Sequence, residues 1–411
     1  MNMETTIIIG GGHAGGEAAL SLRQGGYAGR IVLICEEHGL PYQRPPLSKA
    51  FLLAPEPEAS LIRPAANFSK ADIEIASGIG VQTIDRQARS VTLSDGSRLS
   101  WDHLIIATGS RPRQLALPDP ITAQPTNLHY LRNLTDAQRL KGALQPDKKL
   151  LIIGGGYIGL EVASAAQSLG LQVTIIEAQE RILSRVTAPE VSAFYQQVHQ
   201  AAGIQMLTGV QITTVNFSSD GTAIRSVTLQ NGDELPTDVV LAGIGAIPET
   251  GLAESAGLEV DNGILVNEFC QTSDPAIYAI GDCSNHPSKA YQRRIRLESV
   301  PNAVEQARVA AQSINGSPKP YESIPWFWSD QYDLKLQMVG LSQGYDQVVI
   351  RGNPEERSFA AFYFANDKLI AADCVSRPSE FGMIRKLVQA GTTASSAAAL
   401  ANIDVALKDL L

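Results

Sequence analysis

A plan of strand, glycine-rich turn, helix and strand, written twice, constrains this chain more than anything else in it. Thr5-Thr6-Ile7-Ile8-Ile9 reads as a fully buried parallel strand. It is followed by Gly10-Gly11-Gly12-His13-Ala14-Gly15 and an Ala/Leu-rich helix to about Gln24. Gly25-Gly26 stops that helix, and a second strand from Arg30 to Cys35 ends in Glu36-Glu37. The plan returns with a strand Leu150-Leu151-Ile152-Ile153, then Gly154-Gly155-Gly156-Tyr157-Ile158-Gly159. A helix is predicted from Leu160 to Leu169, Gly170 ends it, and a strand from Gln172 to Ile176 is capped by Glu177. In such a GxGxxG unit the first glycine makes the tight turn, the second lets backbone approach a pyrophosphate, and the third packs helix on strand. An acid about 20 residues on accepts hydrogen bonds from ribose hydroxyls. One copy could be a plain tight connection. Two, each between strand and helix and each followed by an acid, point to two dinucleotides in one chain. The natural pairing is a flavin held permanently and a nicotinamide that comes and goes.

Further segments fit an interrupted layout. Trp101 to Gly109 reads as a strand leaving through Ala-Thr-Gly and closing the first mononucleotide half, and Asp238 to Gly245 as a similar strand and glycine exit closing the second. Ile277 to Asp282 brings an acid to a strand's C-terminal end, where open α/β sheets hold ligands. Ser299-Val300-Pro301-Asn302 predicts the start of a helix to about Ile314, with Pro301 fixing its opening. After Pro318-Lys319-Pro320 the composition changes. Trp326-Phe327-Trp328, short alternating strands (347–351, 358–364, 369–375) and a helix over 380–390 suggest a separate α+β module.

A length of 411 residues suits two or three domains. With 44% hydrophobic and 18% charged residues the chain is neither disordered nor fibrous. A net charge of -9 argues against global affinity for nucleic acid or anionic membrane. Cys35, Cys270, Cys283 and Cys374 form no CxxC, and the six histidines no cluster, so neither a disulfide framework nor a metal site is expected. The N-terminus lacks the pattern of a secretory signal, and no apolar run is long enough to span a bilayer. The expectation is a soluble cytoplasmic protein.

Motifs along nearly the whole chain resemble those of the FAD-dependent NADH–ferredoxin reductases of bacterial oxygenase systems, above all the P450-associated putidaredoxin-reductase type. They are Gly10 to Gly15, Arg44-Pro45-Pro46-Leu47-Ser48-Lys49, Ala107-Thr108-Gly109-Ser110-Arg111-Pro112-Arg113 and Tyr130-Leu131-Arg132. They continue with Gly154 to Glu161, Gly281-Asp282-Cys283, Glu298 to Ala303 and Pro325 to Gln331. The resemblance implies a glutathione-reductase-like α/β fold with two Rossmann-like dinucleotide-binding domains and a C-terminal α+β interface domain. The FAD domain would comprise 1–112 and 244–320, the NAD domain 113–243 and the interface domain 321–411.

The resemblance also implies roles. Gly10, Gly12, His13, Ala14, Gly15, Glu36, Arg44, Lys49, Val81, Ala107, Thr108, Gly109, Arg132, Gly281, Asp282 and Val300 are expected around FAD. Gly154, Gly156, Tyr157, Ile158, Gly159, Glu161, Glu177 and Gly245 are expected around NADH. Lys49 and Glu161 are the expected catalytic pair at the flavin–nicotinamide junction, the lysine favouring the reduced flavin and the glutamate fixing the lysine. Disulfide reductases and NADH peroxidases of this fold carry cysteine beside the flavin. The corresponding stretch Leu40 to Lys49 has none, which disfavours thiol chemistry, and Cys283 is expected to be a small buried side chain. Glu177 would favour NADH by repelling a 2′-phosphate, although Arg181 and Arg185 lie close behind it.

The partner implied is an acidic [2Fe-2S] ferredoxin and, beyond it, a P450 or other oxygenase. An acidic reductase then needs a local basic rim. The docking candidates are Arg63, Arg293, Arg294, Arg296, Arg308 and Lys335, with Trp328 as an aromatic near the electron exit. A monomer is expected. The alternatives are an NADH oxidase or monodehydroascorbate-type reductase of the same fold, and a flavoprotein that binds partners according to redox state.

Overall fold

The computed structural model describes residues 3–118 and 124–411. Met1 and Asn2, where the reading of the N-terminus began, and 119–123 of the expected NAD domain lie outside the described residues. The chain packs into two compact units, each gathered from three stretches. One holds the residues up to Gln43, Ala59–Arg111 and Ala246–Pro325; the other holds Arg44–Glu58, Pro112–Gly245 and Trp326–Leu411.

In the first unit, strands Ile277–Ala279, His103–Ile106, Thr5–Ile9, Arg30–Cys35 and Ile73–Ser77 form, in that order, a five-stranded parallel sheet. Its strands read as unbroken apolar runs because both faces are covered. Ile8, Leu33 and Ile105 point into one core cluster, and Ile7, Ile34 and Ile106 into another. The chain leaves Thr5–Ile9 toward one edge and later returns on the other side, so the end of that strand is the topological switch point where such sheets take ligands. Helix His13–Gln24 follows at once. Its Ala14, Ala18 and Ala19 share a core cluster with Ala303, Ala307 and Ala310 of helix Val300–Ile314, and alanines allow two helices to approach closely.

The second unit repeats the design. Gln205–Thr208, Gln172–Glu177, Lys149–Ile153, Val239–Ala242 and Leu128–His129 form a second five-stranded parallel sheet, with Lys149–Ile153 at its switch point. The helix after the second glycine turn is Tyr157–Ser168, so it begins three residues before the sequence suggests. Gly159 belongs to its first turn, where a Cβ would meet Gly154 O at 2.4 Å. The expected strand from Ile277 to Asp282 likewise ends at Ala279, and Gly281–Cys283 is a 3₁₀ turn entered through Gly281 at φ +76°.

The C-terminal stretch is an α+β module with a five-stranded antiparallel sheet, ordered Trp326–Gln331, Leu334–Gly340, Lys368–Val375, Ser358–Ala365 and Gln347–Asn353. Helix Pro378–Ala390 buries Phe381, Ile384, Leu387 and Val388 and ends at Gly391, φ +63°. The first two strands were not read from the sequence. Their turn lies at Tyr332-Asp333, with Tyr332 at φ +55° where hairpins usually place Gly or Asn.

Candidate active site

Each glycine turn forms the same local structure. A Cβ on Gly10 (φ +113°) would sit 2.3 Å from Ala107 O, and one on Gly154 (φ +109°) 2.4 Å from Gly243 O, so both turns need glycine where the exiting strand passes. The helices that follow are capped by Gly12 and Gly156, without a side-chain hydrogen bond or a first-turn acid. A Cβ on either cap would have no neighbour within 4 Å. The space beside each cap is therefore open, with the positive end of the helix dipole behind it, which is what a pyrophosphate needs. On this observation the residues fit two dinucleotides.

Around the first cradle, all within the first unit, His13 opens the helix, and Ala14 lies so close to Gly281 that a Cβ there would be 3.1 Å from its own. Gly15 packs against Gly10 O, where a Cβ would be impossible. Glu36 stands exposed just beyond strand Arg30–Cys35, and Val81 is half-buried in strand Val81–Asp85. Ala107 is buried, Thr108 Oγ1 donates to Glu249 O at 2.6 Å, and Gly109 turns the chain at φ +73°. Asp282 Oδ2 accepts from Ser110 Oγ at 2.9 Å, and Gly281 N donates to Gln306 Oε1 at 2.7 Å.

The first turn of helix Val300–Ile314 spends Asn302 N on Ser299 Oγ and Ala303 N on Ser299 O. Pro301 has no N–H to satisfy, and Val300 opens the helix ahead of it. Buried Cys283 donates to Ile280 O at 3.3 Å, and burial pushes its thiol pKa up, as expected of an inert packing residue.

In the second unit, Glu177 Oε2 accepts from Gly155 N at 2.7 Å and Oε1 from Gln179 N at 2.8 Å, so the acid braces the turn it follows. Ile158 is exposed on the first turn of its helix. Tyr157 packs against Phe327 at 5.2 Å between ring centres, its hydroxyl 2.7 Å from Met338 S. Gly245 (φ +106°) accepts from Arg113 N at 2.9 Å. Arg181 Nη2 donates to Ser184 O, and Arg185 is exposed.

Arg44, Lys49 and Arg132 also pack in this unit, Arg44 Nη1 donating to Arg132 O at 2.6 Å. Lys49 and Glu161 come together as their motifs suggest. Lys49 Nζ is 2.7 Å from Glu161 Oε2, with the glutamate side chain 2% exposed and the lysine 20%. Two residues that sequence reasoning missed complete the carboxylate's shell: Ser48 Oγ donates to Oε2 at 2.5 Å and Ser329 Oγ to Oε1 at 2.6 Å. Both lie inside motifs already singled out, but nothing in residue type says that a serine will turn toward a glutamate far away in sequence.

The docking candidates divide by what their charges already do. In the first unit Arg308 and Arg63 flank buried Glu17, at 2.7 and 3.5 Å. Arg294 Nη2 donates to Val266 O and Asn285 O, and Arg296 pairs with Glu298 at 2.6 Å while reaching Asp282 O. Arg293 is exposed. In the second unit Lys335 is exposed, and half-buried Trp328 lies 5.7 Å from Trp326 between ring centres. Among the described residues no helix is long and apolar enough to cross a membrane.

Residues 4–307 match the family described as pyridine nucleotide-disulphide oxidoreductase, and residues 326–411 the one described as reductase C-terminal. The chain is 44% identical to putidaredoxin reductase of Pseudomonas putida, over 94% of its own length and 92% of the relative's. It is 43% identical to rhodocoxin reductase of Rhodococcus erythropolis, over 93% and 88%. Among solved structures, the reductase of a covalent putidaredoxin reductase–putidaredoxin complex matches with TM-score 0.94 and 42% identity, covering 100% of this chain and 98% of that one. A ferredoxin reductase for the CYP199A2 system of Rhodopseudomonas palustris matches with TM-score 0.93 and 42% identity, over 99% of each chain. Two glycine cradles, a lysine paired with a buried glutamate and these likenesses agree: the chain belongs to the ferredoxin reductases of the pyridine nucleotide-disulphide oxidoreductase family.

Proposed function

We propose that this protein carries electrons from NADH through FAD to a [2Fe-2S] ferredoxin that supplies a cytochrome P450 or a related oxygenase. The observation that carries this reading is the pair of helix N-termini without a side-chain cap, each behind a glycine turn at a switch point. When bound, FAD supplies the link between a two-electron hydride donor and a one-electron acceptor. The overall reaction is NADH plus two oxidised ferredoxins giving NAD⁺, two reduced ferredoxins and a proton.

The chain's own residues bind and orient. The Gly10–Gly15 turn holds the FAD pyrophosphate, with Glu36 for the ribose, Asp282 for the ribityl chain and Val300 N–H at the pyrimidine edge. Arg44, Val81 and Arg132 complete the flavin's contacts. The Gly154–Gly159 turn holds NADH, and Glu177 accepts from the adenosine 2′-hydroxyl and repels a phosphate there. Glu161 fixes the ammonium of Lys49, and that ammonium favours the reduced flavin electrostatically.

The boundaries 1–112 with 244–320, 113–243 and 321–411 are proposed for the FAD, NAD and interface domains. A cytoplasmic monomer docking its ferredoxin through the basic side chains named above, with Trp328 at the electron exit, completes the proposal. Anaerobic NADH titration of the yellow protein, followed by cytochrome c reduction with and without ferredoxin, tests it. Bleaching by NADH and strong dependence on ferredoxin are expected. Fast peroxide formation without ferredoxin would mean an oxidase, and protein that NADH cannot bleach would overturn the reading.

A further inference from the structure

Glu161 is the end of a longer chain of hydrogen bonds within the second unit. Ser329 Oγ, which donates to Glu161 Oε1, receives Gln331 Nε2 at 3.2 Å. Gln331 Oε1 lies 2.8 Å from His199 Nε2, and His199 Nδ1 lies 3.1 Å from the Tyr332 hydroxyl. Ser329, Gln331 and His199 are buried. The backbone N–H of Tyr332 is itself fixed, donating to Ser164 Oγ at 2.9 Å on the helix that carries Glu161.

The carboxylate dictates the direction of every link. An ionised carboxylate only accepts, so the single proton of Ser329 must point at Glu161. Ser329 Oγ can then only accept from Gln331, which turns the amide NH₂ toward the serine and the amide carbonyl toward His199. His199 must therefore carry its proton on Nε2, and its bare Nδ1 must accept from the Tyr332 hydroxyl. Burial keeps the imidazole pKa below its ordinary value and pushes the Tyr332 phenol up to about 12, so both stay in the forms this requires. Four donors in a row thus point the same way, each polarising the next toward the buried charge. An amide does not readily pass a proton on, so the row orients and does not conduct.

We propose that Ser329, held by the Gln331–His199–Tyr332 row, is a positioning residue that fixes the Glu161 carboxylate and through it the Lys49 ammonium. Ser48 and Lys49 both engage Oε2, and Ser329 holds the other oxygen, so the carboxylate plane is fixed from both ends. The proposal rests on the NADH–FAD reading above and adds to it a residue set argued to act through Glu161 and Lys49.

The test compares wild type, Ser329→Ala, Ser329→Thr and Gln331→Met as flavin-loaded proteins. The readouts are the anaerobic bleaching rate at saturating NADH, the apparent NADH dissociation constant and the flavin midpoint potential. Ser329→Ala should slow bleaching by about tenfold or more with little change in NADH affinity, because the loss is one of alignment. It should also lower the flavin midpoint potential. Ser329→Thr, which keeps the hydroxyl, should recover the rate to within about threefold, and Gln331→Met should move rate and potential in the same direction as Ser329→Ala. Ser329→Ala or Gln331→Met matching wild type in both readouts would overturn the proposal.

A measurement on the wild type alone stands beside these. Imidazole ¹⁵N shifts should report neutral His199 with its proton on Nε2; a proton on Nδ1 would overturn the one-way row. Wild type that NADH cannot bleach would instead defeat the parent reading.

Discussion

The carboxylate of Glu177 accepts the N–H of Gly155 at 2.7 Å and that of Gln179 at 2.8 Å, so the acid proposed to read a ribose also braces the glycine turn. Its two tasks separate on substitution. Glu177→Gln keeps an acceptor for one N–H and loses the charge that repels a phosphate. The kcat/KM ratio of NADH over NADPH should fall by about tenfold, or about 1.4 kcal/mol. Steady-state rates with both nucleotides measure it. An unchanged ratio would remove Glu177 from the specificity role.

The ion pair of Lys49 and Glu161 yields a second expectation. Glu161→Ala leaves the ammonium and two serine hydroxyls without their acceptor in a buried place. Anaerobic bleaching by NADH should slow by roughly 10²-fold. Glu161→Gln, which keeps the shape and an acceptor, should lie between that variant and wild type. Stopped-flow absorbance of the flavin gives both values.

Gly12 offers an experiment in which stability and binding move in opposite directions. Its backbone, at φ -83° and ψ -166°, suits any residue, and a Cβ there meets nothing. Gly12→Asp would cap helix His13–Gln24 and interact well with its dipole, a gain of up to about 1 kcal/mol for the flavin-free protein. The same carboxylate would occupy the anion site, so flavin retention should drop sharply. Urea unfolding of flavin-free protein and the flavin-to-protein absorbance ratio read the two effects.

Asp373 carries a pH signature. It is fully buried, with Thr187 and Tyr363 hydroxyls donating to one of its oxygens, and burial raises its pKa from 3.8 to about 6 in spite of those bonds. A carboxyl whose pKa is higher folded than unfolded favours the native state when protonated. That contribution is complete below pH 3.8 and is lost as pH rises through about 6. Asp373→Asn should therefore gain on wild type as pH rises from 4 to 7.5, by up to about 3 kcal/mol. Urea titrations at the two pH values decide; a difference independent of pH would contradict it.

Lys335 is an exposed cation on the C-terminal sheet. Lys335→Glu should raise the ferredoxin KM several-fold, more at low salt than at high, and leave NADH bleaching unchanged. Ferredoxin-coupled cytochrome c reduction across ionic strengths is the assay.

What the sequence discloses and what it hides divide along physical lines. The strands from Thr5 to Ile9 and from Lys149 to Ile153 were legible because a parallel strand covered on both faces is an uninterrupted apolar run, and glycine marks where it ends. The start of the second nucleotide helix was misplaced because Gly159, a helix-weakening residue, lies inside the helix to allow contact with Gly154. The Trp326–Gln331 and Leu334–Gly340 hairpin was missed because Tyr332 occupies a left-handed position without the residue types that announce one. Lys49 and Glu161 were found through their motifs. Ser329 and its row were not, because hydrogen bonds between residues distant in sequence leave no local period to detect.

The five crossings of the polypeptide between the two units have a consequence for how the molecule is made. The N-terminal sheet lacks its edge strand until Ile277–Ala279 has been synthesised. A ribosome that has released only the first half of the chain therefore holds two unfinished sheets, each with an open border. Fragments that end between the second glycine turn and Ile277 should therefore be insoluble, because neither the first sheet nor its border is complete in them.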